Sequence, residues 1–410
     1  MDIKPLLDRE IKLTMGCTDP GTVAYAAAQA ASLLPGELAA IRVRLSPNLY
    51  KNALYVGIPI LKQRGIEHAA LLGALIKRPE KKLEVLSLID ETVLRQFALA
   101  KERLEISVDY QEFADPLYLE VECRSAGHCV KVVIQGDYDR ITQIVCDQEL
   151  LHTAAAAALP QDAPAGVSWG ELYHSALHGG LEELKELGEY EAINRRAAFH
   201  GAAGAELCPA ADRDIHAMAG VCREYVFRAS RMRMSGEPFQ IASVAGSGNL
   251  GIASMLSVAG LCDCLDAAPE RRLRALALSV LTAIYIKSFM DRTTVMCGTA
   301  MAGAAGAGAA AAYLFGGDRS AVERAIDTAL GTLTGILCDG AKESCAFKVS
   351  MAAANGVVDG YMAVRERYIR GASGMITADI DRTIRNIGRI NNECMKEVNH
   401  SILKIIQNRY

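Results

Sequence analysis

Apolar and polar positions change their rhythm near residue 160. Before that point the periodic runs are short and of two kinds. Ile3, Leu6, Leu7 and Ile11 recur at helical spacing and predict a short helix over residues 3–14. VAYAAAQAASLL, from Val23, predicts a second helix, whereas LAAIRVRLS alternates apolar and basic residues as a strand does. Residues 66–77 and the stretch ETVLRQFALA read as helices. KLEVLSLI, RLEISVDYQE, LYLEVECRSA, HCVKVVIQG and RITQIVCDQE read as strands of a small, mostly antiparallel sheet, with turns at Asp115-Pro116 and Gly136-Asp137.

After the Pro-containing stretch LPQDAPAGVS the pattern becomes almost wholly helical. Helices are expected over 168–179, 180–202, 210–234, 249–265, 268–290, 296–315, 318–337, 344–367 and 378–407. The fold class is therefore α+β: an N-terminal α+β domain over 1–160, then a large all-helical domain over 161–410. No internal repeat is evident.

One helical stretch is unlike the rest. MCGTAMAGAAGAGAAAAYLFGG, from Met296, carries no charge and almost no bulk. Its length suits a bilayer, yet Gly and Ala gain little in lipid, so a buried central helix explains it better. Cys297 opens this run, and Cys338 and Cys345 follow in GILCDGAKESCAFKV. Seven positions are two helical turns, so one helix would present both later sulfurs on one face. Gly340 between them favours instead a loop that leads into a helix, with Cys345 on its first turn. Three thiols on small, tightly packed backbone suit a soft metal or an iron–sulfur cluster. Buried apolar filler is the plainer reading, and no C-x-x-C pair supports a zinc site.

Three further places bear candidate chemistry. In MGCTDPG, Thr18 or Asp19 can cap a helix with Pro20 in its first turn; Cys17 then sits at a helix N-terminus, where the dipole lowers a thiol pKa. Asn48, Lys51 and Asn52 form a polar cluster beside a strand end, suited to a carboxylate or amine, or merely a solvated loop. Ser247, Gly248 and Asn249 lie in a Gly-rich turn that opens a helix and offers backbone N–H groups to an anion. That turn follows no strand of a βαβ unit, which argues against dinucleotide binding. Arg231, Arg233 and Ser235 lie upstream and supply charge there or a solvated helix end. Cys123, Cys129 and Cys146 read as sheet packing, and Cys208, Cys222, Cys262, Cys264 and Cys394 as structural. His200, His216 and His400 are proton-transfer candidates without a motif.

Composition narrows the class. The 410 residues are 51% hydrophobic and 22% charged, with a net charge of −4, which is globular and offers no basic surface for nucleic acid. Twelve cysteines and a charged, h-region-free start, MDIKPLLDREIK, point to a cytoplasmic protein without disulfides or a membrane anchor. A homo-oligomer is compatible with this composition.

GILCDGAKESCAFKV with the upstream MCGTAMAGAAGAGAA resembles the cluster-binding region of the iron–sulfur L-serine dehydratase alpha-chain superfamily. MGCTDP and GSGNLG make the chain similar to the L-cysteine desulfidase branch and its UPF0597 proteins, over nearly its whole length. The resemblance implies a [4Fe-4S] cluster on Cys297, Cys338 and Cys345. The chain ends Gln407-Asn408-Arg409-Tyr410, without the cysteine that caps the cluster in some serine dehydratases, so an open fourth iron is expected. It also implies acid–base chemistry at Cys17, with Thr18, Asn48, Lys51, Asn52 and the Ser247–Asn249 turn around a small amino-acid substrate. The expected reaction is β-elimination of L-cysteine to pyruvate, ammonia and sulfide. L-serine dehydration is the alternative, weakened because the Ser/His loop of serine dehydratases is missing. A non-enzymatic redox or iron sensor is the competing class. A pyridoxal mechanism would need Lys348 and a phosphate at Gly246–Gly251, and resembles nothing else in the chain.

Overall fold

The computed structural model describes residues 2–61, 63–113, 115–155, 166–200, 214–370 and 373–408. The chain starts with α1 (Lys4–Glu10), β1 (Ile11–Met15), α2 (Thr18–Leu33), β2 (Ala40–Leu45), α3 (Pro47–Leu54) and α4 (Ile66–Ile76). A kinked 3₁₀ segment, Pro79–Leu88, leads to α5 (Glu91–Arg103). Strands β3 (Glu105–Tyr110), β4 (Tyr118–Arg124), β5 (Cys129–Gln135), β6 (Ile141–Cys146) and β7 (Glu149–Thr153) follow. They form with β2 a sheet in the order β3-β2-β4-β5-β6-β7, parallel only between β2 and β3. The remainder is α6 (Trp169–His178), α7 (Leu181–Phe199), α8 (Ile215–Ser235), β8 (Gln240–Val244), α9 (Gly248–Leu265), α10 (Pro269–Ser288), α11 (Gly298–Leu314), α12 (Arg319–Leu333), α13 (Cys345–Val364), α14 (Ile380–Arg389) and α15 (Lys396–Gln407). This is the expected α+β class. The expected boundary and linker near residue 160, and Cys208, fall outside the described residues.

Five local expectations are corrected. The helix over 3–14 stops at Glu10 because the chain then pairs, Ile11 with Val244 through Met15 with Gln240, in an antiparallel ribbon with β8. That strand interrupts the supposedly all-helical half. KLEVLSLI is 3₁₀ rather than strand: Leu83, Leu86 and Ile89 bury at three-residue spacing, the 3₁₀ repeat, and the segment covers α2. PNLYKNAL is helical, with Pro47 in its first turn and Leu49 and Ala53 buried four apart. The last helix breaks in two around a π-helical turn, Ile390–Cys394.

Two apolar cores meet in the molecule. One joins α2, α4 and the Pro79–Leu88 segment to the face of the sheet; the other joins α1 and the helices from α6 to α14. At the centre of the second lies α11, surrounded by α9, α10, α12 and α13. Its small residues allow this. Ala304 of α11 and Gly356 of α13 approach so closely that a Cβ on Gly356 would lie 2.1 Å from the Ala304 carbonyl oxygen. Gly356→Ala is therefore expected to destabilise by about 1–3 kcal/mol, overpacking outweighing the gain in helix propensity. Thermal melting of the metal-free protein checks it, and an unchanged or raised Tm contradicts the close approach. Among the described residues only α9 is long and apolar enough to cross a membrane; 83% of it is buried in the fold.

Candidate active site

The cysteine loops are brought together by backbone first. Met296 and Leu337 form an isolated antiparallel bridge, flanked by Cys297 N–H to Ile336 O at 2.6 Å and Cys338 N–H to Val295 O at 2.8 Å. The bridge sets the two cysteines side by side. Gly340 then turns the chain at φ +96°, and a Cβ there would lie 2.4 Å from the Lys51 carbonyl oxygen, so only glycine fits. Cys345 follows as the first residue of α13, its Sγ 3.6 Å from Gly340 O. The loop-into-helix expectation holds, and the single-helix alternative does not.

Cys297, Cys338 and Cys345 line one cavity of about 90 Å³ at the meeting of the two cores. Cys17, Thr18, Asn52, Ser247 and Asn249 line it too. Four helices begin here: α2 after Cys17, α9 after Ser247, α11 after Cys297, and α13 at Cys345. Their N-terminal N–H groups and dipoles make the cavity a strong anion site.

Cys17 departs from the sequence expectation. It is the residue preceding α2, but Thr18 and Asp19 lie inside the helix and no side chain caps it. Burial pushes its thiol up to about 12, the nearby Asp19 adds to this, and the Arg233 charge opposes it without winning. The thiol is therefore protonated at neutral pH, because loss of water outweighs the helix N-terminus. Its Sγ donates to Asp19 Oδ2 at 3.4 Å. Burial raises the Asp19 carboxyl as well, against hydrogen bonds from Cys17 and Asn52 and the Arg233 charge. Tyr138 OH donates to the other Asp19 oxygen at 3.5 Å.

Arg233, 3% exposed, donates through Nε to Gly16 O at 3.1 Å and through a terminal nitrogen to Thr18 Oγ1 at 3.5 Å. Among the described residues it makes no ion pair, and it lines the cavity. Asp19 feels its charge, but with no carboxylate in ion-pair contact the buried guanidinium can take one from a ligand. Gly248 does not line the cavity but clears the way: a Cβ there would lie 2.3 Å from Arg233 Nε. Ser247 caps α9 through Leu250 N–H at 3.3 Å and pairs with Thr299 at 3.0 Å. Asn249 is 6% exposed; its Nδ2 donates to Met234 Sδ at 3.6 Å and its Oδ1 has no partner among the described residues. An unpaired buried acceptor beside a cavity calls for a donor on a ligand. The turn follows a strand, β8, but β8 pairs antiparallel with β1, so among the described residues it is no strand of a βαβ unit, as expected.

The Asn48–Lys51–Asn52 cluster divides. Only Asn52 reaches the cavity, 3.7 Å from Cys338 Sγ. Lys51 is fully buried beneath the Gly340 turn and donates to Asn48 Oδ1 at 3.2 Å and Asn399 Oδ1 at 2.8 Å. Asn48 donates to Thr293 O at 3.4 Å and faces a neighbouring cleft. Both are props, because α3 turns their side chains into the protein rather than to the cavity. The exposed His200, His216 and His400 also lie off the cavity, as do Cys262 and Cys264.

The donor set suits an anionic cluster better than a single ion. Among the described residues no three His, Cys, Asp or Glu side chains converge on one metal ion. A four-iron cluster instead takes one thiolate per iron, so its ligands stand apart around it. Burial holds the Cys297 thiol up at about 12, with Cys338 and Cys345 adding to it, so that thiol needs a metal to ionise. Cations are at hand. Lys287 lines the cavity; burial and Arg292 lower its ammonium to about 8, against Asp291, Cys297 and Cys338. Lys348 is held by Leu337 O at 2.7 Å and Asp339 Oδ1 at 3.2 Å; burial works against its charge, and Cys297 and Asp339 restore it. So tethered, Lys348 does not line the cavity, which leaves the pyridoxal reading without its lysine. Sequence reasoning missed Asp19, Tyr138, Lys287 and Arg292 as cavity residues: Asp19 reads as a helix cap, and the other three come from chain segments with no motif.

The chain belongs to the serine dehydratase alpha chain family, whose description matches residues 80–404. Within it, the chain is similar end to end to UPF0597 proteins. It is 33% identical to one from Methanocella arvoryzae over 98% of this chain and 96% of that protein. The identity is 33% to one from Bacteroides thetaiotaomicron (98% and 97% covered) and 32% to one from Clostridium perfringens (98% and 96%).

Proposed function

We propose that this chain is a lyase that eliminates the β-substituent of a small L-amino acid at a [4Fe-4S] cluster, with L-cysteine as substrate and pyruvate, ammonia and sulfide as products. One observation carries the reading: three thiols, a proton-bearing thiol and an open guanidinium line a single cavity. Cys297, Cys338 and Cys345 would hold the cluster. When bound, the cluster supplies a Lewis-acidic iron that stabilises the departing sulfur. Arg233 takes the substrate carboxylate, and Asn249 Oδ1 accepts from its ammonium. Cys17 Sγ handles the α-proton. It reaches the thiolate by passing its proton to Asp19 Oδ2, the acceptor already 3.4 Å away. The thiolate then removes the α-proton, the electron pair forms the Cα–Cβ double bond, and the β-sulfur leaves with the C–S electrons. The aminoacrylate tautomerises and hydrolyses to pyruvate and ammonia.

L-serine is the second substrate to weigh, since the same contacts hold it. The position of every candidate histidine away from the cavity favours cysteine, because among the described residues no imidazole lines it to serve a poorer leaving group. Anaerobic reconstitution with iron and sulfide, followed by product assays on both amino acids, tests the proposal. Equal pyruvate and sulfide from L-cysteine are expected. Pyruvate from L-serine alone would reassign the substrate, and no product from either would favour the sensor class.

A further inference from the structure

The π-helical turn Ile390–Cys394 lies outside the cavity, yet its side chains reach the loop that ends at Cys297. A π turn gives up regular helix geometry and often accompanies a functional demand. Here the demand is visible. Asn391, 3% exposed, accepts on Oδ1 from Val295 N–H at 3.2 Å and Met296 N–H at 3.1 Å. Its Nδ2 donates to Asn392 Oδ1 at 2.9 Å. Asn392 in turn accepts from Asp291 N–H at 3.1 Å and donates to Phe289 O at 3.1 Å.

Two amide side chains thus secure four backbone groups between Phe289 and Met296. Residues 291–295 belong to no helix or strand, so these contacts supply partners that regular structure would otherwise provide. Cys297 directly follows Met296. Farther along the same C-terminal segment, Asn399 accepts from Lys51, whose carbonyl backs the Gly340 turn between Cys338 and Cys345. One segment therefore braces both cysteine loops from behind.

We infer that Asn391 is a positioning residue for the cluster: by fixing the Val295–Met296 backbone it sets where the Cys297 sulfur stands. This rests on the reading that Cys297 is a ligand. Its effect falls on metal retention rather than on folding, as expected of a group that orients a ligand from outside the coordination sphere.

The test compares wild type, Asn391→Ala, Asn391→Asp and Gly356→Ala after anaerobic reconstitution. The readouts are iron per chain, the rate at which EDTA bleaches the cluster absorbance, and the Tm of each metal-free protein. Bleaching is followed well below every Tm. Asn391→Ala is expected to lose iron roughly 10–100-fold faster than wild type, the usual scale for removing such a partner. Asn391→Asp, which keeps an acceptor for both N–H groups, should recover most of that loss. Gly356→Ala, destabilised away from the site, should bleach at the wild-type rate. Wild-type retention in Asn391→Ala would overturn the inference, as would bleaching that simply follows Tm across all four proteins. A wild-type chain that takes up no iron would instead overturn the ligand assignment, and this inference with it.

Discussion

Cys17→Ser should keep the cluster and lose turnover. If Cys17 carries the α-proton, the expected loss is about 10²–10⁴-fold, the usual contribution of a general acid–base group. A serine hydroxyl ionises far less readily than a thiol, so it cannot replace the thiolate in the proton step. The substitution is nearly isosteric, and a hydroxyl can still donate to Asp19, so stability should change little. Iron content, Tm and pyruvate release are measured on one anaerobic preparation. Iron lost together with activity would make Cys17 a cluster ligand, a possibility its packing beside Cys345 makes worth separating. Full activity with iron retained would move the proton step to another cavity group.

Each of Cys297→Ala, Cys338→Ala and Cys345→Ala should abolish the brown absorbance and the activity together. Three thiolates already leave one iron without a protein ligand, and a two-cysteine site has no third anchor to hold the cluster. Cys262→Ala and Cys264→Ala provide the contrast. Cys262 is buried near Glu191, Asp263 and Arg272, and neither cysteine reaches the cavity. Cys262→Ala costs packing but neither variant should cost iron. Iron binding that survives loss of Cys297 but not of Cys262 would reverse the ligand assignment.

The cluster loops were legible because their signals are local. Gly340 five residues before Cys345 marks a turn into a helix, and that is where the thiol stands. The small-residue run likewise announces a helix that others press against, as α11 is. Other parts of the site carried no such mark. Arg233 near the end of α8 reads equally as charge for the Ser247–Asn249 turn or as a solvated helix end, until Gly248 opens its path to the cavity. Lys51 has the right neighbourhood and the wrong direction, since it sits on a helix, α3, that turns its side chain into the protein. Asn391 is invisible to sequence reasoning, because its partners lie about a hundred positions away in the chain.

By itself the sequence determined the α+β class, most helices and sheet strands, and the cysteines that can share one site. Those follow from side-chain period, glycine conformation and thiol chemistry, all properties of neighbouring residues. Tertiary structure alone decided the β1–β8 ribbon, whose strands are separated by more than half the chain. It also decided protonation. A helix start favours a thiolate at Cys17, but burial at the junction of two cores favours the thiol, and desolvation is the larger effect.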